Sequence, residues 1–265
     1  MALVQHTQHD VRFRQQVDNA REYLLPFIQA VMPVRSGMRI MEIGCGEGGV
    51  LVPFLELGAV CTGVDLSPTR IASAATSLAA YVETGQAQCL VQDVLDPAFS
   101  EAYRGSLDLI ILKDTIEHIP GQETFIPHLK GFLKPGGHVF FGFPPWRMPF
   151  GGHQQICRSK WLGMTPWFHL LPRPVYAGVL RGLGESAQTV ADLLEIQETG
   201  ISLDRFERII RDTGYVISAR TLFLINPIYR YKFGLRPRVQ ARWMAAIPWL
   251  RDFFTTAGWY MVKPR

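Results

Sequence analysis

Five short apolar stretches alternate with helix-compatible segments between Met38 and Phe143, and this alternation constrains the fold more than any other feature. They are Met38–Ile43, Ala59–Val64, Ala87–Val91, Leu107–Leu112 and His138–Phe143. Leu107–Leu112 is almost wholly apolar, as expected of a parallel strand covered on both faces. Ser67-Pro68 signals a helix start, because serine caps the free N–H groups and proline suits the first turn. A helix is expected after the fourth stretch, to about Leu133, and Lys134-Pro135-Gly136-Gly137 reads as the turn into the fifth. Strands regularly interleaved with helices predict an α/β fold, a doubly wound parallel sheet with helices on both faces.

The flanks are organised differently. Segment 1–37 reads as N-terminal and helical, with one or two helices over Leu3–Met32, and 38–143 as the core. Segment 144–201 is dense in Pro, Gly, Trp and His, with a helical stretch near Gln188–Gln197, and reads as an insertion or lid. Segment 202–265 returns to order with an amphipathic helix at Leu203–Thr213, a strand at Tyr215–Ile225 and a last strand at Thr256–Val262. Between those strands, Asn226–Phe254 is irregular and carries six basic residues against a single acid, Asp252, although the whole chain is only +4. A hydrophobic fraction of 48% excludes wholesale disorder, and no apolar run reaches the roughly 18–20 residues of a membrane span. His6, His9 and Asp10 stand where a secretion signal would place an apolar core, so none is expected. The four cysteines form no CxxC pair, which points to reduced thiols and a cytoplasmic setting.

The first strand runs into Glu42-Ile43-Gly44-Cys45-Gly46-Glu47-Gly48. Such a turn, opening a helix, offers backbone N–H groups to a ligand and uses glycine where a Cβ would obstruct it. By itself it fits any nucleotide. Acids at the strand ends narrow the choice: Glu42 for an ammonium group or ordered water, Asp65 for ribose hydroxyls, and Asp93, with Val94 beside it, for adenine. An NAD enzyme would carry GxGxxG, and a pyrophosphate suits acidic surroundings less well than a sulfonium does. The segments MEIGCGEGG, GVDLSP, VQDVLD, LDLIILKDTIEHIP and LKPGGHVFFGFP follow in order over Met38–Phe143 and closely resemble class I S-adenosylmethionine-dependent methyltransferases. That resemblance implies a Rossmann-like seven-stranded, mostly parallel sheet, its last strand antiparallel between the fifth and sixth, with helical insertions forming a lid. It also implies a donor site of Glu42, Gly44, Cys45, Gly46, Gly48, Asp65, Leu66, Asp93, Val94 and Lys113.

Residues following strands four and five should surround the transferring methyl group. No Asn/Asp-Pro-Pro-Tyr follows strand four, which argues against adenine or glutamine amides as acceptors, and no Pro-Cys pair suits a cytosine nucleophile. His153, His118 and Asp114 are the candidate catalytic residues, the histidines as bases that remove an acceptor proton. Asp114, Glu117 and His118 have i, i+3, i+4 spacing, which would place them on one helical face. They resemble the acidic-histidine patch of ubiquinone-pathway O-methyltransferases and small-RNA 2′-O-methyltransferases, in which a later histidine, here His153, helps hold magnesium. Packing and capping by Glu117–His118 is the competing and preferred reading, and no metal ligand is assigned. The aromatic and basic insertions should meet over the donor and take a small or amphipathic acceptor, most simply by O-methylation of a natural product, glycan or lipid-like molecule. The alternatives are N-methylation, RNA 2′-O-methylation with a divalent metal, and donor binding without turnover. The modest net charge argues against nucleic acid, while Arg and Trp together suit peripheral membrane contact.

Overall fold

The computed structural model describes residues 9–265, so residues 3–8 of the expected N-terminal helical stretch, and His6, lie outside the described residues. Strands β1 (Arg39–Ile43), β2 (Val60–Asp65), β3 (Ala87–Val91), β4 (Leu107–Lys113) and β5 (Leu133–Phe143) all run parallel. With β6 (Tyr215–Ile225), β7 (Arg238–Val239) and β8 (Ala257–Pro264) they form one sheet in the order β3-β2-β1-β4-β5-β8-β6-β7. β8 is antiparallel to both β5 and β6, the placement that the resemblance implies for a last strand. The sheet has eight strands rather than the expected seven. The extra one, β7, is a two-residue edge strand on β6 within the basic insertion, too short to leave any alternating pattern in the sequence.

The sheet is covered on both faces. On one, Phe125, Ile126, Phe206 and Ile209 from helices Gln122–His128 and Leu203–Asp212 pack against Ile110, Phe141 and Val262. On the other, Leu24 and Ile28 join Phe54, Ile40, Phe140 and Trp259. Because helix layers cover the middle of the sheet on both faces, β4 is buried along nearly its whole length, which accounts for its apolar sequence. Ser67 caps helix Pro68–Ser77 as expected, its hydroxyl accepting from the Arg70 N–H at 3.4 Å. Lys134–Gly137 does not precede β5 but is a bulge within it, for Leu107 pairs with Leu133 and Leu109 with His138.

The segment after β5 is more regular than its composition suggests. Helices Lys160–Met164, Arg173–Gly182 and Ala187–Thr199 enclose a small core of Cys157, Leu162, Tyr176, Leu180, Val190 and Leu193. Glu185 joins two parts of this subdomain, its carboxylate accepting from the Arg158 and Ser159 N–H groups at 3.0 Å each. The four cysteines are free, and no helix of the described residues is long and apolar enough to cross a membrane.

Candidate functional site

Strand order places the acidic residues side by side. β3, β2, β1 and β4 are neighbours, so their carboxyl ends align Asp93, Asp65, Glu42 and Lys113 along one edge of the sheet. Between β1 and the helical segment from Gly49, the glycine turn has Gly44, Gly46 and Gly48 at φ of 74°, 54° and 79°, backbone that L side chains resist. A Cβ on Gly44 would lie 2.5 Å from Thr115 Oγ1, whereas one on Gly46 would meet nothing nearer than Gln16 Nε2 at 4.0 Å. Gly44 is therefore required for packing against the β4 turn, while Gly46 leaves open space above the backbone. Asp65 fixes this turn, with Oδ2 accepting from the Gly46 N–H at 3.1 Å and Oδ1 from the Ser67 N–H at 2.9 Å. A ligand with vicinal hydroxyls would meet a carboxylate that is already oriented.

Glu42 is buried and its Oε2 has no hydrogen-bond partner. Burial pushes its carboxyl well above the ordinary range, against the pull of Lys113 and with a contribution from Asp65 and Asp114. A buried carboxyl with one unpartnered oxygen beside an open cradle fits the cationic end of an amino-acid-bearing ligand. Cys45 is also buried, and burial pushes its thiol far up. Its sulfur would sit 2.9 Å from a Cβ on Gly63, so it packs against β2. Leu66 is exposed at the end of β2, Val94 is buried, and exposed Asp93 accepts from the Leu95 N–H at 2.9 Å. Lys113 donates to Asp114 Oδ2 at 2.5 Å, and against the pull of burial that ammonium holds the Asp114 carboxyl below its usual value.

Asp114, Glu117 and His118 do not share a helical face. The chain forms only a single 3-10 turn at Ile116–His118, and Asp114 precedes it at a φ of 53°. Asp114 is turned to Lys113, while His153 completes the group: Glu117, His118 and His153 each offer a ligand atom, all within 4.8 Å of one another. The His118 and His153 rings lie 5.0 Å apart, edge to face. Burial, aided by His118, lowers His153 to about 4, and burial also lowers His118. Both rings are therefore neutral near pH 7. Neither carboxylate oxygen of Glu117 has a protein partner, and burial raises its carboxyl well above the usual range. A carboxylate with two imidazoles fits a divalent cation of intermediate softness.

The glycines before His153 are needed, but not for the ligand. A Cβ on Gly151 would lie 2.5 Å from the Trp146 carbonyl, and one on Gly152 would lie 2.2 Å from His169 Cβ. His169 itself is buried and bonded to the Trp146 carbonyl at 2.7 Å, a packing role. Two groups of the basic, aromatic insertion expected over the donor also reach this edge. Tyr229 and Lys232, on helix Ile228–Phe233, sit in the electrostatic reach of Asp114; burial raises the tyrosine to about 12 and lowers the lysine. From helix His9–Asn19, Arg12 pairs with Glu47 of the glycine turn, and Gln15 Nε2 donates to the Tyr231 carbonyl at 3.2 Å. No spacing rule signals such contacts, since Arg12 and Glu47 lie 35 residues apart and Gln15 and Tyr231 lie 216 apart.

An open glycine cradle, an oriented acid on β2 and a buried acid on β1, all on a sheet whose last strand in the chain is antiparallel between β5 and β6, define a Rossmann-like methyl-donor fold. The sequence profile of the methyltransferase domain family matches residues 13–162, more than half of the chain, and the chain belongs to that family. Ubiquinone biosynthesis O-methyltransferase of Xanthomonas axonopodis pv. citri is 34% identical over 165 residues, which span 60% of this chain and 67% of that one. The Bradyrhizobium sp. enzyme of the same name is 33% identical over 106 residues, 38% of each chain. The chain thus spans about two fifths of the length of several of these curated relatives. Among solved structures, geranyl diphosphate C-methyltransferase from Streptomyces coelicolor aligns with a TM-score of 0.57 at 14% identity, over 91% of this chain and 77% of that one. A putative sarcosine dimethylglycine methyltransferase from Galdieria sulphuraria aligns at 0.58 and 12% identity, over 92% and 84%. These likenesses show the shared fold.

Proposed function

We propose that this protein is an S-adenosylmethionine-dependent methyltransferase that methylates a hydroxyl oxygen of a small, amphipathic, lipid-like acceptor. The observation that carries the reading is the neutral His118–His153 pair beside the carboxyl ends of β4 and β5. S-adenosylmethionine supplies an electrophilic methyl group on a sulfonium. Glu42 faces its amino-acid end, Asp65 its ribose, and Asp93 with Leu66 and Val94 its adenine. The acceptor oxygen attacks the methyl carbon in line, and the electron pair of the breaking carbon–sulfur bond stays on sulfur. His153 or His118 takes the hydroxyl proton on a ring nitrogen that is free to accept it. Positioning of the two substrates supplies most of the acceleration. Segment 144–201 is the lid in this reading, and the 226–254 insertion brings Tyr229 and Lys232 to the acceptor side.

A hydroxyl acceptor needs such a base, whereas a neutral amine is already nucleophilic. The names of the relatives support oxygen as the acceptor atom and a prenylated ring as its class. The Glu117–His118–His153 cluster favours a second form of the same reading, in which these residues hold a divalent cation. The test is product formation with paired acceptors, a prenylated catechol and the matching amine. Methylation of the catechol, with His153→Gln lowering kcat at least about 100-fold, is expected. Turnover of the amine alone, or donor binding without product from either, would sink the proposal.

A further inference from the structure

The basic insertion between β6 and β8 does not use its charges in one way. Arg230 is paired with Glu22, Arg251 with Asp204 and Glu207, and buried Asp252 with Arg147. Arg236, Arg238 and Arg242 are exposed, and none of the three has an ion-pair partner among the described residues. From Phe233 to Trp249 the chain contains no acidic residue. The same stretch exposes large apolar side chains in unusual density: Trp243 at 66%, Val239 at 62%, Trp249 at 56% and Ile247 at 42%. Much of it is exposed edge, since β7 is bonded on one side only and the helices that follow, Arg242–Ala245 and Leu250–Phe253, are single turns.

Trp249 adds an independent sign. Its φ is 64°, a conformation unusual for a bulky residue, and the Asp204 carboxylate accepts its N–H at 2.7 Å while also holding Arg251. Backbone strain of this kind persists only where surrounding contacts impose it. Here it keeps an indole against Phe253 yet more than half in solvent.

We propose that the Phe233–Trp249 ribbon docks this protein on an anionic lipid bilayer, Trp243, Ile247 and Val239 entering the headgroup boundary and Arg236, Arg238 and Arg242 meeting lipid phosphates. Indole and arginine both favour that boundary, and basic residues gain from the negative surface potential. Exposed Val239, Ile247 and Leu235 choose between surfaces: aliphatic side chains gain from entering acyl chains and have no ring to stack on nucleic-acid bases. The ribbon follows directly from helix Ile228–Phe233, so docking would bring the bilayer to the side of the fold where Tyr229 and Lys232 stand. The inference does not depend on which acceptor is methylated.

The experiment is co-sedimentation of the full chain with vesicles, without donor or acceptor. Retention is expected on phosphatidylcholine mixed with phosphatidylglycerol, not on phosphatidylcholine alone, and should weaken as salt rises above about 0.1 M. Replacing Arg236, Arg238 and Arg242 together by glutamate should weaken retention at least about 100-fold, at roughly fivefold for each lost arginine. The double variant Trp243→Ser/Ile247→Ser, chosen away from strained Trp249, should also lose retention. Both variants should keep the parent's thermal midpoint and its affinity for S-adenosylmethionine, which separates docking from folding and from the methyl-transfer reading. Equal retention of parent and variants overturns the proposal, as does no retention on anionic vesicles. So does release of bound protein by an RNA oligonucleotide of equal charge, or a self-associating chain that Trp243→Ser makes monomeric without any change at the vesicle.

Discussion

Glu42 stands where two demands conflict. Folding buries the carboxyl at the end of β1 with one oxygen unpartnered, and the proposed role toward the donor's cationic end would require it charged. Its carboxyl releases a proton near 4.5 when unfolded but only well above that when folded. Protonation thus favours the folded chain: this contribution is fully present below 4.5 and drains away as pH rises toward the folded value. Glu42→Gln removes the ionisable group but keeps its shape. We expect it to raise the thermal midpoint of the ligand-free protein by about 5 °C at pH 8 and by less at pH 5. It should at the same time weaken S-adenosylmethionine binding about 10- to 100-fold, since a charged hydrogen bond is lost. Thermal melts at the two pH values and calorimetric titration of the donor check both halves. A variant that is no more stable at pH 8 than at pH 5 relative to the parent would show that Glu42 is not strained by burial.

The turn after β1 belongs to a larger unit, because Gly44 is pressed against Thr115 at the end of β4. Thr115 in turn donates to the Ile43 carbonyl at 3.2 Å, so the two strand ends are joined through one side chain. Gly44→Ala combines left-handed strain of about 1–2 kcal/mol with overpacking of about 1–3 kcal/mol. A fall of roughly 10 °C in the thermal midpoint is expected. Thr115→Ala should restore part of it in the double variant, and strict additivity of the two changes would refute the contact. Elements of this kind were legible in the sequence because their signals are local. The β1 to β5 alternation, the glycine turn and the Ser67 cap each rest on residues close together in the chain. The helical face drawn through Asp114, Glu117 and His118 failed because spacing has meaning only inside a helix, and the chain there makes one 3-10 turn. β7 and the helices of residues 160–182 were missed for a related reason. Two residues carry no period, and helices dense in Pro, Gly and Trp draw stability from their shared core rather than from propensity.

At the scale of the whole molecule, the site is assembled by the insertion as much as by the sheet. Glu117 and His118 follow β4, but His153 comes from the segment beyond β5, so their cluster spans two separately built parts. A divalent cation held there would fasten the insertion to the core, and its binding energy would appear as stability of the whole fold. A cation at 100 times its dissociation constant adds about 2.7 kcal/mol, or a rise of roughly 5–10 °C in the midpoint. That rise should vanish in His153→Ala. It should also grow with pH, because Glu117 holds its proton in the cation-free protein and must release it to become a ligand. His153→Ala alone cannot separate a cation ligand from a base, since both roles would lower turnover. Chelation can: a cation-holding cluster loses turnover and thermal stability together when a strong chelator is added. Undiminished turnover and an unchanged midpoint in chelator would leave the two imidazoles as the proton acceptors, with buried Glu117 as a neutral acid beside them.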